Sequence, residues 1–271
     1  MRCLYTSGIL DVFMEHGIRF DGMIGVSAGA TFGCNFKSGQ NGRALRYNKK
    51  FAHHPMYCGF RSWITTGDLV NRQVAYHDVP IIYDPFDFQT FMENPTEFHV
   101  VCTDVTNAQP VYEILKDGTV EDFLTLVRAS ASMPIVSNAV EYKGKKLLDG
   151  GISDSIPLKH FQEQGYEKNV VILTQPAGFF KKKTSLIPLF KLFHKYPAIT
   201  QAMAVRHDMY NAQLEYLQQE VEKGKTLAIY PECKLNIGRA EMNPEKMDVI
   251  YAMGRKKGQE VLASVQEFLK D

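Results

Sequence analysis

The segment at residues 20–33 constrains the fold of this chain more than any other part of the sequence. Residues 20–26 are mostly apolar and predict a short buried strand, and the small residues at 28–33 predict a closely packed helix. Between them lies GVSAG at residues 25–29, a GxSxG motif that places Ser27 on a tight strand-to-helix turn. This pattern is typical of a nucleophilic serine, although a glycine-rich packing turn whose serine caps the helix has the same letters.

The residues around Ser27 suit a nucleophile elbow. Gly25 and Gly29 have no side chains, which lets the backbone and its neighbours come close to the serine. The helix that begins near Ala28 directs its N-terminal dipole and its unpaired N–H groups toward developing negative charge. We therefore expect Ser27 to be the nucleophile of an acyl-transfer reaction.

Strand and helix patterns alternate along the first two thirds of the chain. Apolar, β-branched runs bounded by turn residues predict short strands, and an amphipathic pattern predicts a helix at residues 120–129. The strands predicted after the first one are residues 98–103, 111–115, 139–142, 146–148 and 170–174. This alternation predicts a three-layer α/β/α fold with a mostly parallel central sheet.

The patterns also divide the chain. A helix is expected at residues 6–17, capped by Thr6 or Ser7, and residues 47–94 form an irregular insertion. The composition changes near residue 178, after which two long helical patterns follow. We expect one domain at residues 1–178 and a mainly helical C-terminal extension at residues 179–271.

Composition excludes several classes of protein. A net charge of +1 provides no global attraction to nucleic acid. The five cysteines form no CxxC pair, which argues against a zinc site and against a disulfide framework. No stretch approaches the roughly 20 apolar residues that cross a bilayer. We expect a cytoplasmic protein.

A nucleophilic serine needs a base, and Asp149 is the first candidate, although Asp-Gly is also a common plain turn and these residues alone favour that interpretation. It ends an apolar strand and is followed by Gly150 and Gly151, a turn that carries a carboxylate to the rim of a sheet. Asp104, at the end of the strand at 98–103, is the second candidate. The histidines stand in no obvious catalytic setting and are interpreted as surface or structural residues. The ones considered are His53, His54, His160 and His207.

Three motifs in order resemble the patatin-like phospholipase family: GVSAGA at 25–30, SASMP at 130–134 and LLDGGISDSIP at 147–157. The resemblance implies a Ser–Asp dyad in which Asp149 activates Ser27 directly, without histidine, and this dyad implies no metal and no cofactor. It also implies an acyl-enzyme intermediate and acyl esters of glycerophospholipids or related lipids as substrates. MAVRHDMYN at 203–211 and LNIGR at 235–239 resemble a bacterial subgroup of uncharacterised patatin-like proteins, and carry less information about chemistry.

The chain departs from the family at its beginning. The family's glycine-rich loop provides the oxyanion hole, and only its tail is matched here, with Arg2 as its arginine and Cys3 in place of its last glycine. Ala28, directly after the nucleophile, is the remaining oxyanion candidate. Loss of one oxyanion donor costs on the order of 10²–10³ in turnover. Two expectations compete: a longer natural protein that includes the loop, or a weak or inactive lipid-binding or interaction module.

The sequence gives one indication of a partner. Residues 179–183 are aromatic and basic, and apolar residues with two more lysines follow at 186–195. This pattern fits a peripheral contact with the inner face of a membrane, or else a loop and helix packed on the core. A His-dependent esterase is a further functional alternative, and the oligomeric state is open.

Overall fold

Strands and helices alternate along the chain, and the structure, a computed structural model, describes residues 1–116, 118–185, 196–238 and 240–270. In those residues the strands are β1 (Gly22–Val26), β2 (Glu97–Asp104), β3 (Pro110–Ile114), β4 (Val140–Tyr142), β5 (Lys145–Asp149), β6 (Asn169–Ile172) and β7 (Thr226–Ile229). The helices are α1 (Leu4–Glu15), α2 (Ala28–Lys37), α3 (Arg43–Phe51), α4 (Phe60–Thr66), α5 (Phe88–Glu93), α6 (Val120–Ser130), α7 (Leu158–Glu163), α8 (Pro197–Glu222) and α9 (Pro244–Lys270). A π-helical segment lies at Val74–Tyr83 and a 3₁₀ turn at Gly150–Ile152.

The larger sheet is built around β2. Its residues 97–101 pair in parallel with β1, and residues 102–104 pair antiparallel with β5. β3 pairs antiparallel with residues 99–103 and therefore overlaps both of these stretches. Because a strand has only two edges, β3 occupies one edge of β2, and β1 and β5 share the other. β4 is the hairpin partner of β5.

Helices cover both faces of this sheet. On one face, Phe98, Val100 and Cys102 of β2 pack in a buried cluster with residues of α2, α5 and α6. On the opposite face, the ring of His99 packs edge-on against Phe161 of α7. The predicted three-layer α/β architecture is thus confirmed.

β6 and β7 form a second, parallel sheet. Successive side chains of a strand point to opposite faces. Val170 and Ile172 of β6 join the core cluster that contains α1 and α9, whereas Val171 joins the cluster that contains residues of α7 and α8. The expected parallel arrangement therefore holds for β1–β2 and β6–β7, which helices connect, while the hairpins add antiparallel strands.

Helix α9 packs directly against α1. A Cβ atom on Gly8 would overlap the carbonyl oxygen of Tyr251, and one on Gly254 would overlap that of Tyr5, so these glycines let the two backbones touch. Segments after residue 178 thus share a core with α1 and β6. The boundary near residue 178 stays a prediction, and the parts on its two sides are packed together.

The beginning of α1 differs from the prediction. The helix begins at Leu4 with Cys3 as its N-cap residue, and the expected cap Ser7 lies inside it, donating its hydroxyl to the carbonyl of Cys3. A serine within the first turns can bond backward in this way, so its presence does not mark a helix start. The other expected cap, Thr6, also lies inside the helix.

Two sequence-based expectations concern membranes. In the described ranges, no helix has the length and apolar character needed to span a bilayer. The apolar part of the expected membrane-contact segment, residues 186–195, lies outside the described residues.

Candidate functional site

The carboxyl ends of β1 and β5 meet head to head on one edge of β2. Val26, the last residue of β1, lies opposite Val101, and Asp149, the last residue of β5, lies opposite the next residue, Cys102. Ser27 follows Val26 directly. The register of the sheet therefore brings Ser27 and Asp149 together, although 122 residues separate them in sequence.

Ser27 adopts a backbone conformation that is rare for a residue with a side chain. Its φ is 55° and its ψ is −122°, between the end of β1 and the first residue of α2. The turn is tight: a Cβ atom on Gly25 would lie 2.6 Å from the Cα atom of Ala30. Gly25 is thus required by close packing, whereas a Cβ atom on Gly29 would meet nothing within 4 Å. Ser27 itself is partly exposed.

The Ser27 hydroxyl donates a hydrogen bond of 2.6 Å to Oδ2 of Asp149. The other carboxylate oxygen, Oδ1, accepts the N–H of Gly151 at 2.8 Å. The Asp149 backbone is also held, because its N–H donates to Ser132 and its carbonyl accepts the hydroxyl of Thr103, each at 2.8 Å. Asp149 is only 7% exposed. A buried carboxylate fixed on both sides of its peptide can take a proton from the hydroxyl with little reorganisation.

Ser130 connects the Ser27 turn to β2 by hydrogen bonds. The sequence analysis assigned it no role. Its hydroxyl accepts the N–H of Ser27 at 2.9 Å and donates to the carbonyl of Val101 at 2.6 Å. The side chain is fully buried. One hydroxyl thus satisfies the backbone of Ser27 and that of β2 at the junction. The only indication in the sequence that Ser130 belongs to the site is its position as the first residue of the SASMP motif.

The two glycines of the DGG turn differ in their surroundings. A Cβ atom on Gly150 would overlap the carbonyl of Val101, so the turn lies directly on β2. A Cβ atom on Gly151 would lie 3.1 Å both from Nη2 of Arg206 and from Oδ1 of Asp149. No larger residue therefore fits at position 150. Gly151 lies in a narrow space between the Arg206 guanidinium and the Asp149 carboxylate.

The three oxyanion candidates lie at the start of α2 and in the residues directly before α1. Ala28 is the first residue of α2, where N–H groups have no partner within the helix. Burial raises the pKa of the Cys3 thiol; Arg2 lowers it, and the neighbouring Asp149 carboxylate raises it. The Cys3 thiol therefore lies in the electrostatic neighbourhood of Asp149.

Asp104, the second candidate acid, makes its side-chain hydrogen bond within a local turn. Oδ1 of Asp104 accepts the N–H of Thr106 at 2.8 Å, which closes a turn between β2 and β3. This is a common local role for an aspartate at a strand end. The contact to Ser27 is made by Asp149.

The histidines have other surroundings. The ring of His160 stacks on Tyr112 with 3.4 Å between centroids, and His53 and His54 are exposed. His207, expected on an exposed helix face, is instead half-buried, with Nε2 3.3 Å from Asp208. Burial lowers the pKa of His160, which favours its neutral form. Within the described ranges, no three histidine, cysteine or acidic side chains are grouped so as to hold a metal ion.

Comparison with known proteins gives two family matches. The model of the patatin-like phospholipase family matches residues 1–161, and a model described as a domain of unknown function (DUF6363) matches residues 196–270. The uncharacterised protein YjjU of Escherichia coli (strain K12) is 25% identical over 288 residues, covering 100% of this chain and 76% of YjjU. The crystal structure of VipD from Legionella pneumophila superposes with a TM-score of 0.47 at 12% identity, over 97% of this chain. This chain spans 65% of the VipD chain.

Proposed function

The chain belongs to the patatin-like phospholipase family, and from this premise we propose that it is a serine acyl hydrolase with Ser27 as nucleophile and Asp149 as general base. The observation that carries the proposal is the 2.6 Å hydrogen bond from the Ser27 hydroxyl to Oδ2 of Asp149. It joins a strained elbow to a buried carboxylate, which is the arrangement that nucleophilic catalysis needs.

The reaction has two halves. Asp149 accepts the hydroxyl proton while Oγ of Ser27 bonds to the ester carbonyl carbon, and the proton then passes to the departing alcohol as its C–O bond breaks. In the second half Asp149 takes a proton from water, whose oxygen attacks the acyl-enzyme. The carboxylic acid leaves and Oγ recovers its proton from Asp149. Atoms balance as one ester and one water giving one alcohol and one acid.

Negative charge develops on the carbonyl oxygen in both halves and needs hydrogen-bond donors. We propose that the N–H of Ala28 is one donor, because it lies directly after the nucleophile at the start of α2. Arg2 and Cys3 are proposed to line the same side, because the Cys3 thiol lies close enough to Asp149 and to Arg2 for both charges to act on it.

The proposed substrates are lipid acyl esters, on the strength of the family. We also propose a cytoplasmic location with peripheral membrane contact. Of the contact segment, the structure describes residues 179–185, in which Phe180 is 68% exposed and Lys182 and Lys183 are exposed. An exposed aromatic ring beside two ammonium groups is a combination that suits an anionic lipid surface.

A fluorophosphonate probe, which bonds to activated serines, tests the proposed chemistry by intact-mass analysis. We expect one adduct on the wild type, none on Ser27→Ala, and at least a hundredfold slower labelling of Asp149→Asn, because an amide cannot accept the proton. Ser132→Ala is the matched control. It removes a neighbouring hydroxyl that bonds within its own segment, to the carbonyl of Arg128, and should be labelled like the wild type.

The outcomes separate the functional alternatives. An unlabelled wild type contradicts the proposal for this chain and favours the lipid-binding or interaction module. Full labelling of Asp149→Asn contradicts the dyad and favours a His-dependent esterase, in which a histidine variant would lose the adduct.

A further inference from the structure

Arg206 of α8 binds the turn that follows the proposed base. Its Nε donates to the carbonyl of Gly151, and its Nη2 donates to the hydroxyl of Ser155 at 3.0 Å. That hydroxyl donates in turn to the same Gly151 carbonyl at 2.8 Å. The arginine, the serine and the carbonyl thus form a closed triangle of hydrogen bonds around one peptide group.

Gly151 connects this triangle to Asp149. Its carbonyl is held by Arg206, and its N–H donates to Oδ1 of Asp149 at 2.8 Å. With Oδ1 fixed, the other carboxylate oxygen receives the Ser27 hydroxyl. A continuous series of hydrogen bonds therefore runs from α8 through the backbone of the turn to the nucleophile.

The glycine itself provides little rigidity. Glycine has access to more backbone conformations than any other residue, so a Gly-Gly turn is held by its contacts rather than by its own preferences. Arg206 makes charge-assisted contact with that turn, which is stronger than a contact between neutral groups. The arginine is thus placed to restrict the one segment that aims the Asp149 carboxylate.

We propose that Arg206 is a positioning residue for Asp149, and that the segment at 196–270 contributes to the active site through it. This inference rests on the proposed function, since it concerns the orientation of the proposed base. It gives a role to a region matched by a model of unknown function. In this proposal Arg206 acts on Asp149 through Gly151, whose carbonyl it holds.

Gln213, two helical turns further along α8, provides a matched control. Its Oε1 accepts the N–H groups of Ser155 and Ile156 at 3.2 and 2.9 Å, and its Nε2 donates to Asp154 at 2.6 Å. It fastens the same loop to the same helix beyond the DGG turn. Loss of Gln213 should therefore destabilise the loop without releasing Gly151.

The test compares Arg206→Ala, Arg206→Lys and Gln213→Ala in the full chain, with two readouts. The first is amide hydrogen exchange in the peptide that contains residues 149–153. We expect exchange there to be at least tenfold faster in Arg206→Ala, close to wild type in Gln213→Ala, and intermediate in Arg206→Lys, which keeps the charge but not the planar fork. The second is the rate of fluorophosphonate labelling, expected to fall roughly 10- to 100-fold in Arg206→Ala alone, as for groups that orient catalytic residues.

The two readouts distinguish the possible failures. Equal losses in Arg206→Ala and Gln213→Ala at equal melting temperature would show a structural role only and overturn the inference. Unchanged exchange in Arg206→Ala would also overturn it. If the wild type is unlabelled but exchange at 149–153 responds to Arg206 alone, the proposed function fails while the positioning of the turn by Arg206 stands.

Discussion

The backbone of Ser27 combines strain with support. A φ of 55° with a ψ of −122° is unfavourable for any residue with a Cβ atom, and such conformations cost on the order of 1–3 kcal/mol. The N–H of Ser27 is held by Ser130, whose hydroxyl also bonds to β2. The hydrogen bond from Ser130 thus helps to hold the strained backbone of Ser27, and this conformation points the hydroxyl toward Asp149.

Two substitutions of Ser27 separate the effect of backbone strain on stability from the effect of losing the hydroxyl. Ser27→Ala and Ser27→Gly both lose the hydrogen bond to Asp149, but only glycine relieves the strain. We expect Ser27→Gly to have a free energy of unfolding about 1 kcal/mol higher than Ser27→Ala, the relief being partly offset by the greater entropy of glycine in the unfolded chain. Urea denaturation of both variants measures this difference. Equal stabilities would mean that the elbow is not strained in solution.

The sequence was informative wherever a local pattern carried the structure. The elbow at Ser27, the hairpin of β4 and β5, and the strand end at Asp149 all follow from neighbouring residues, and the structure brings that serine and that aspartate into contact. Ser130 and Arg206 could not be assigned, because their partners lie 103 and 55 residues away. No periodicity specifies which distant carbonyl a hydroxyl or a guanidinium will meet.

At the scale of elements, α1 and α9 approach each other until their backbones touch. Gly8 and Gly254 lie where the two helices cross, and they have no side chains that would hold the helices apart. Polar groups also meet at this contact. The buried carboxylate of Asp11 on α1 accepts the hydroxyl of Tyr251 on α9 and the N–H of Gly42 at the start of α3. Burial raises the pKa of Asp11, although these hydrogen bonds and the charge of Arg255 oppose the rise.

This raised pKa fixes the sign of a pH dependence. The folded state holds the Asp11 proton more tightly than the unfolded state, whose ordinary pKa is 3.8. The contribution of Asp11 to stability is therefore fully present below that value and is lost as pH rises through the raised pKa. We expect the free energy of unfolding of Asp11→Asn, relative to wild type, to increase as pH rises from about 4 to a plateau.

Glu15, one turn further along α1, is the control of opposite sign. Its contacts with Arg255 lower its pKa, so its contribution is present at neutral pH and lost as pH falls. The relative stability of Glu15→Gln should thus decrease as pH rises, and weakly, because the side chain is partly exposed. Urea titrations from pH 4 to 8 measure both. A pH-independent difference for Asp11→Asn would contradict the assignment.

The surface of the whole molecule bears on the proposed contact with lipid. With a net charge of +1, attraction to an anionic bilayer has to come from local clusters of basic residues. The three lysines at residues 181–183 are one such cluster, next to the exposed ring of Phe180. A basic residue near an anionic surface contributes about 1 kcal/mol to binding.

Replacement of the lysines at 181–183 by alanine should therefore weaken binding to vesicles of phosphatidylcholine and phosphatidylglycerol by at least about tenfold. Replacement of the lysines at 143, 145 and 146, in the β4–β5 hairpin, removes the same charge from another surface and should have a small effect. Sedimentation with the vesicles measures both. Equal affinities for the two triple variants would show that residues 181–183 are not the contact.

The packing of α1 against α9 has a consequence for folding during synthesis on the ribosome. Asp11 and its partner Tyr251 are 240 residues apart, and at about 5–20 residues per second their synthesis is separated by roughly 10–50 s. During that interval the face of α1 that carries Ile9 and Phe13 lacks part of its final cover. Helix α1 is thus made well before the helix that packs against it, and its apolar face stays partly uncovered until α9 has been synthesised.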